Sequence, residues 1–143
     1  MPNVFYNSFF SDRLNGNIDL MADAIHCMLV TALYVPDPDL HAKRSDVSNE
    51  VQESGTYKIG GRALENKRVE QDNENDQAVF RADDLVWDQT TMRARGLVLY
   101  KARGGQASLD ELIVYLDFGK DIVSTNGKFI LPWNDEGLLI LGS

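Results

Sequence analysis

Leu112-Ile113-Val114-Tyr115-Leu116-Asp117-Phe118 is the stretch that decides the fold. Leu112, Val114, Leu116 and Phe118 alternate with Ile113, Tyr115 and Asp117, and a period of two sends alternate side chains to opposite faces of a strand. Ala78, Phe80 and Ala82 alternate in the same way with Val79, Arg81 and Asp83. Four short apolar runs add to the pattern: Leu85-Val86-Trp87, Leu97-Val98-Leu99-Tyr100, Phe129-Ile130-Leu131 and Leu138-Leu139-Ile140-Leu141. Turn-forming residues separate them at 72–76, at Gly104-Gly105, at Asn126-Gly127 and at 134–137. Asn126-Gly127 predicts a tight hairpin turn, since both central residues of such a turn need positive φ. Residues 134–137 predict a longer hairpin loop with Gly137 in the left-handed position. Strands spaced in this way predict a mainly β chain, an antiparallel β-sandwich or jelly-roll-like single domain spanning 1–143.

Upstream of these strands the pattern changes. Phe5, Phe9, Phe10 and Leu14 recur at steps near four, which predicts a short N-terminal helix within 1–16, stopped by Asn15-Gly16. So short a helix is marginal alone, so its aromatic stripe must pack on its own core or on a neighbouring chain. Residues 25–35 are apolar and rich in β-branched and aromatic side chains, which predicts a buried strand ended by Pro36 and Pro38. A long polar loop follows over 36–61. Asp37-Pro38 suits an N-cap and first helical position, so 38–47 is expected to hold one helical segment. Loops of that length are usually functional or flexible, which marks this one as a partner contact. A chain lacking 38–50 is accordingly expected to fold and to lose its partner.

Composition bounds the function. The chain has 143 residues, 43% hydrophobic and 25% charged, as for one soluble domain. Fourteen Lys and Arg against 22 Asp and Glu give a net charge of −8, which repels phosphate backbones and anionic lipid, so neither nucleic acid nor membrane is an expected partner. Residues 72–88 hold six acids and one base, Arg81, and form a solvated face or a docking surface for a basic partner. The longest apolar run, 27–36, is too short to span a bilayer, and the first residues lack the pattern of a signal peptide. Cys27 is alone, so no internal disulfide can form.

The search for chemistry yields little. Of two histidines, His26 falls within the predicted buried strand and His41 in the polar loop, where it is expected to be exposed. Cys27 follows His26 directly, but neighbouring strand residues point to opposite faces, so no thiolate–imidazole pair is expected. The run 72–76 resembles alternating calcium ligands, yet Gln77 and Asp83 stand where a calcium loop needs glycine and glutamate. Asp83-Asp84 and Asp110-Glu111 are expected as exposed turn residues. No nucleophile elbow or phosphate loop is present. No catalytic residue, cofactor or metal is expected. Trp87 and Trp133 fill the core or anchor an interface, tryptophan being common at both.

Several stretches resemble a family of small bacteriophage virion structural proteins. They are Gly60-Gly61-Arg62-Ala63-Leu64-Glu65-Asn66-Lys67, the run 72–76 with Ala78-Val79-Phe80-Arg81-Ala82-Asp83-Asp84-Leu85-Val86-Trp87, Ala94-Arg95-Gly96-Leu97-Val98-Leu99-Tyr100, and Tyr115-Leu116-Asp117-Phe118-Gly119. The opening Asn7-Ser8-Phe9 through Leu14-Asn15-Gly16 is similar too, and together these stretches cover most of the chain except about 36–54. The resemblance implies a non-enzymatic head-decoration (cement) protein on the outer surface of a capsid, with the major capsid protein as partner. A trimer is favoured over a dimer on such a shell. A tail or head–tail connector component and a carbohydrate-binding β-sandwich stacking sugars on Trp87 or Trp133 are the alternatives. The interface residues expected are Phe5, Phe9, Phe10, Leu40, His41, Arg44, Trp87 and Trp133.

Overall fold

The alternating runs form two antiparallel sheets in the computed structural model, which describes residues 3–131 and 138–142. The chain runs through β1 (Asn3–Phe5), α1 (Asn7–Leu14), β2 (Ile25–Val30), β3 (Arg62–Ala63), β4 (Arg68–Asp72), β5 (Gln77–Arg81), β6 (Val86–Lys101), β7 (Leu112–Ile130) and β8 (Leu139–Gly142). One sheet has the order β1-β7-β6-β2-β3 and the other β4-β5-β8. This is the mainly β sandwich that the period of two predicts. Trp133 and the loop expected at 134–137 lie outside the described residues.

The two long strands, β6 and β7, pair along their length and carry the core. Leu97, Leu99, Val114 and Leu116 face the three-stranded sheet and meet Phe80 and Leu139. Full burial of one such side chain is worth roughly 1.5–3 kcal/mol. Strands of 16 and 19 residues are too long to stay straight, and bulges break them. Gln89 and Asn126 take positive φ, 56° and 45°, at two register shifts, and Gly119 (φ 80°) lies within a third. Asn126-Gly127 is therefore a bulge inside β7, with Gly127 opposite Thr90, and not the predicted hairpin turn. The hairpin closes instead through 102–111, around Gly104-Gly105. A further shift leaves Ile113 extra between Leu112 and Val114, which turns Leu112 away from the face that Val114 and Leu116 share.

Val98, Tyr100, Leu112 and Tyr115 point to the other face with Met28 and Val30, and they too are buried. A sheet covered on both sides needs continuous apolar strands, which is why 97–100 and 112–116 lack polar alternation. The cover on this second face includes the polar excursion. β2 ends at Val30, short of the expected Val35, because Thr31 opens a turn that Tyr34 closes, Tyr34 N–H donating to the Thr31 carbonyl at 3.2 Å. From there the chain crosses the face to the far edge, where Leu112 N–H donates to the Ala42 carbonyl and Arg44 N–H to the Asp110 carbonyl. It then returns to the β2 edge, where Val51 N–H donates to the Leu29 carbonyl and Thr31 N–H to the Asn49 carbonyl.

The 31–61 segment is thus a belt fastened at both edges of the five-stranded sheet. A helix over 38–47 does not form. Asp37 caps one turn, accepting from Asp39 and Leu40 N–H groups at 3.0 and 3.1 Å, and a 3-10 turn follows at Arg44–Asp46. Val47 packs against the cluster of Met28, Val98 and Tyr100, and Arg44 lies over the Tyr100 ring, so removal of 38–50 is expected on this geometry to cost the fold and not only the partner contact.

The N-terminal element is also shorter than predicted. Val4 and Phe5 pair with Tyr115 and Val114 in β1, and only Asn7–Leu14 is helical. Its end is as the sequence predicts, with Gly16 at φ 79°. No helix among the described residues is long and apolar enough to cross a membrane.

Candidate functional site

The belt presents the most exposed apolar side chains of the second face. Leu33, Val35 and Leu40 are each at least 75% exposed, although Leu33 and Val35 belong to the stretch predicted as a buried strand. Between them Tyr34 turns inward, 4% exposed, and docks edge-on against Tyr115 with centroids 5.7 Å apart. Beside this pair opens a groove of about 380 Å³, lined by Val4, Tyr34, Val35, Pro36 and Tyr115. Its rim carries the Arg95–Asp117 ion pair at 2.9 Å.

His41, within the belt, turns its ring towards Tyr34 and not into solvent as expected. It is half-buried, stacked on Tyr34 with centroids 5.7 Å apart. Its Nδ1 lies 3.0 Å from the Tyr34 hydroxyl and accepts the Asp37 backbone N–H at 3.2 Å. The Tyr34 hydroxyl in turn lies 2.7 Å from that of buried Tyr6. Burial pushes the Tyr34 phenol up to about 12, so it stays protonated at neutral pH.

Asp110 and Glu111 correct a second expectation, for they are 2% and 3% exposed and not surface turn residues. Asp110 takes Arg44 Nε at 2.8 Å and the Arg103 backbone N–H at 2.9 Å. Glu111 takes Arg103 through both carboxylate oxygens at 2.7 Å, a two-pronged pair that suits the guanidinium fork. Arg103, first of all, and Asn17 hold the Glu111 carboxyl down at about 2, against the opposing effect of burial. Lys101 donates to the Asn17 carbonyl at 2.6 Å and pairs with Asp23. This charge node ties the belt, the segment after α1 and the hairpin end together. Arg44 also lies over the Tyr100 ring, 5.2 Å from its centroid, so it is committed to the interior and is not a free contact.

The remaining expected interface residues fall apart. Trp87 is 1% exposed, packed edge-on against Tyr57 and Phe129, and Phe9 is fully buried; neither offers surface to a partner. Phe5 is half-buried and stacked on Phe9, while Phe10 keeps 42% of its surface exposed. Of the eight residues expected, Phe10 and Leu40 are open to solvent and Trp133 lies outside the described residues. The sequence reading missed Leu33 and Val35. Their signal was the three-residue approach to Pro36, since a residue before proline is biased to extended backbone without belonging to a sheet.

Cys27 and His26 point to opposite faces, as neighbouring strand residues must. Burial raises the thiol of Cys27, and His26 packs on Tyr100 with centroids 5.8 Å apart. In the acidic turn the Asp72 carboxylate is filled by N–H donors from Glu74, Asn75 and Gln77. Among the described residues no three His, Cys, Asp or Glu side chains gather to hold a metal ion. Comparison with protein-family models, with curated proteins and with solved structures finds no match.

Proposed function

We propose that this chain is a non-enzymatic structural protein of bacteriophage virions, a head-decoration protein that clamps the outer surface of the capsid shell. The reading rests on the sequence resemblance, and one observation carries it further: three exposed apolar side chains, Leu33, Val35 and Leu40, are displayed on a belt that is fastened at both ends. A contact surface that is already ordered loses little conformational entropy on docking. The net charge of −8 suits docking on basic patches of the major capsid protein. A trimer would place three such belts around a local threefold position, with assembly in the host cytoplasm and a final place on the head exterior. Burial of Trp87 removes the stacking face that carbohydrate binding would need from that residue.

Co-sedimentation tests the proposal. Purified protein mixed with empty shells of the cognate particle is expected to pellet with them. Leu33→Ser, Val35→Ser and Leu40→Ser combined should leave it in the supernatant with an unchanged melting temperature. Wild-type protein that stays in the supernatant would overturn the decoration reading.

A further inference from the structure

We propose that the groove between the belt and β1 binds the apolar C-terminal residue of another protein chain, whose carboxylate is taken by Arg95 and Tyr115. The floor of the groove exists because Gly96 lacks a side chain. A Cβ there would lie 2.6 Å from Cε2 and 2.8 Å from the hydroxyl oxygen of Tyr115. Without it the Tyr115 ring lies against the β6 backbone, 6% exposed. Tyr34 stands edge-on beside that ring, and Val4, Val35 and Pro36 complete apolar walls around about 380 Å³.

Two polar groups on this apolar surface have donors to spare. The Tyr34 hydroxyl is committed to Tyr6 and His41, whereas that of Tyr115 has no hydrogen-bond partner among the described residues. Burial raises the Tyr115 phenol, so it keeps its proton at neutral pH and can donate. Arg95 gives only its Nε to Asp117, at 2.9 Å. Its two terminal nitrogens meet no acceptor among the described residues, so the outer edge of the guanidinium stays open. That edge is also held in place. Asp117 Oδ1 accepts the Gly119 N–H at 2.7 Å, where the strand bulges and Gly119 takes φ 80°. The bulge fixes the carboxylate, and the carboxylate fixes the guanidinium.

A planar carboxylate matches the two parallel N–H groups of such an edge. The net charge of −8 repels a bare anion at long range, so charge alone does not fill the site. The apolar walls must supply the rest of the affinity, which calls for an apolar body directly beside the carboxylate. The last residue of a peptide, when apolar, carries both on one carbon. Residues before it also find surface, because β1 is the edge strand of its sheet and Val35 is 75% exposed at the rim. A small free acid would leave both uncovered. This site stands independently of shell decoration, although both readings use Val35.

Amide chemical shifts of the free protein test the site, with acetyl-Ala-Ala-Leu bearing a free carboxylate as the probe. Saturable shifts are expected at Val4, Val35, Arg95 and Asp117, and binding should weaken at least about tenfold when the same peptide is amidated. Arg95→Lys keeps the charge but loses the fork, so it should lose that acid-over-amide preference. Tyr115→Phe keeps the floor and should weaken the free-acid peptide by about threefold or more. Both variants should retain a cooperative melt. Isovalerate, a free apolar acid, should bind at least about tenfold more weakly than the peptide. No saturable shift at millimolar peptide, equal binding of acid and amide, an undiminished preference in Arg95→Lys, or isovalerate binding as tightly as the peptide would overturn the proposal.

Discussion

Gly61 sits so close to Cys27 that a side chain there would place its Cβ 1.7 Å from the Cys27 carbonyl oxygen. Its φ of 73° is itself a conformation that L side chains avoid. The contact lets β3 join the β2 edge, with Arg62 opposite Cys27. It gives a physical reason for glycine at position 61, which is the close approach of β3 to the β2 backbone.

Gly61→Ala is expected to destabilise the fold by more than about 3 kcal/mol, since both φ and space oppose it. Gly104→Ala is the control. It has a similar φ of 80° with nothing within 4 Å of the added carbon, so only the backbone strain of about 1–2 kcal/mol should appear. Urea unfolding of both chains, compared at equal slope, measures the difference.

Acid should weaken the fold through Glu111. Its folded-state carboxyl is held at about 2, below the ordinary range, so the stability it contributes is full above the unfolded value and is lost as pH falls towards 2. The loss from this residue is expected to reach up to about 3 kcal/mol between pH 5 and 2. Glu111→Gln should flatten the decline over that window, read from urea midpoints at the two pH values.

Arg44 and Asp110 should behave as a coupled pair. Arg44→Ala leaves a carboxylate that is 2% exposed without its 2.8 Å partner, which is expected to cost about 3–5 kcal/mol. Removing both side chains should cost less than the sum of the two single changes by at least about 1 kcal/mol, as a double-mutant cycle in guanidinium would record.

Deleting 38–50 should prevent native folding, because it strips the pairing of Ala42 and Arg44 from one sheet edge and that of Asn49 and Glu50 from the other. The deleted chain is expected to bind a hydrophobic dye and to lose near-ultraviolet tyrosine and tryptophan dichroism. A cooperative melt with native dichroism would show the belt to be dispensable.

The strands were legible where one physical rule dominated. Period two located β5 and the 112–118 part of β7, and Asn15-Gly16 ended the first helix, because side-chain alternation and glycine backbone freedom are local properties. Asn126-Gly127 misled, since the same backbone preference serves a bulge as well as a hairpin, and only the Thr90 partner decides between them. The belt misled for a different reason. Its polar composition looks like a free loop, while its ordering comes from peptide bonds to Leu29, Asp110 and Leu112, far away in sequence. Asp110 and Glu111 looked exposed because their partners, Arg44 and Arg103, are set by folding and not by neighbourhood. Leu40 and Phe10, expected at an interface, are open to solvent, whereas Leu33 and Val35 were hidden inside an apparent strand.

Hydrogen exchange of the protein bound to empty shells, compared with the free protein, tests the decoration proposal most directly. The belt contact predicts added protection concentrated in 33–40 and little change in the β4–β5 hairpin. Protection confined to that acidic hairpin, or none anywhere, would contradict it.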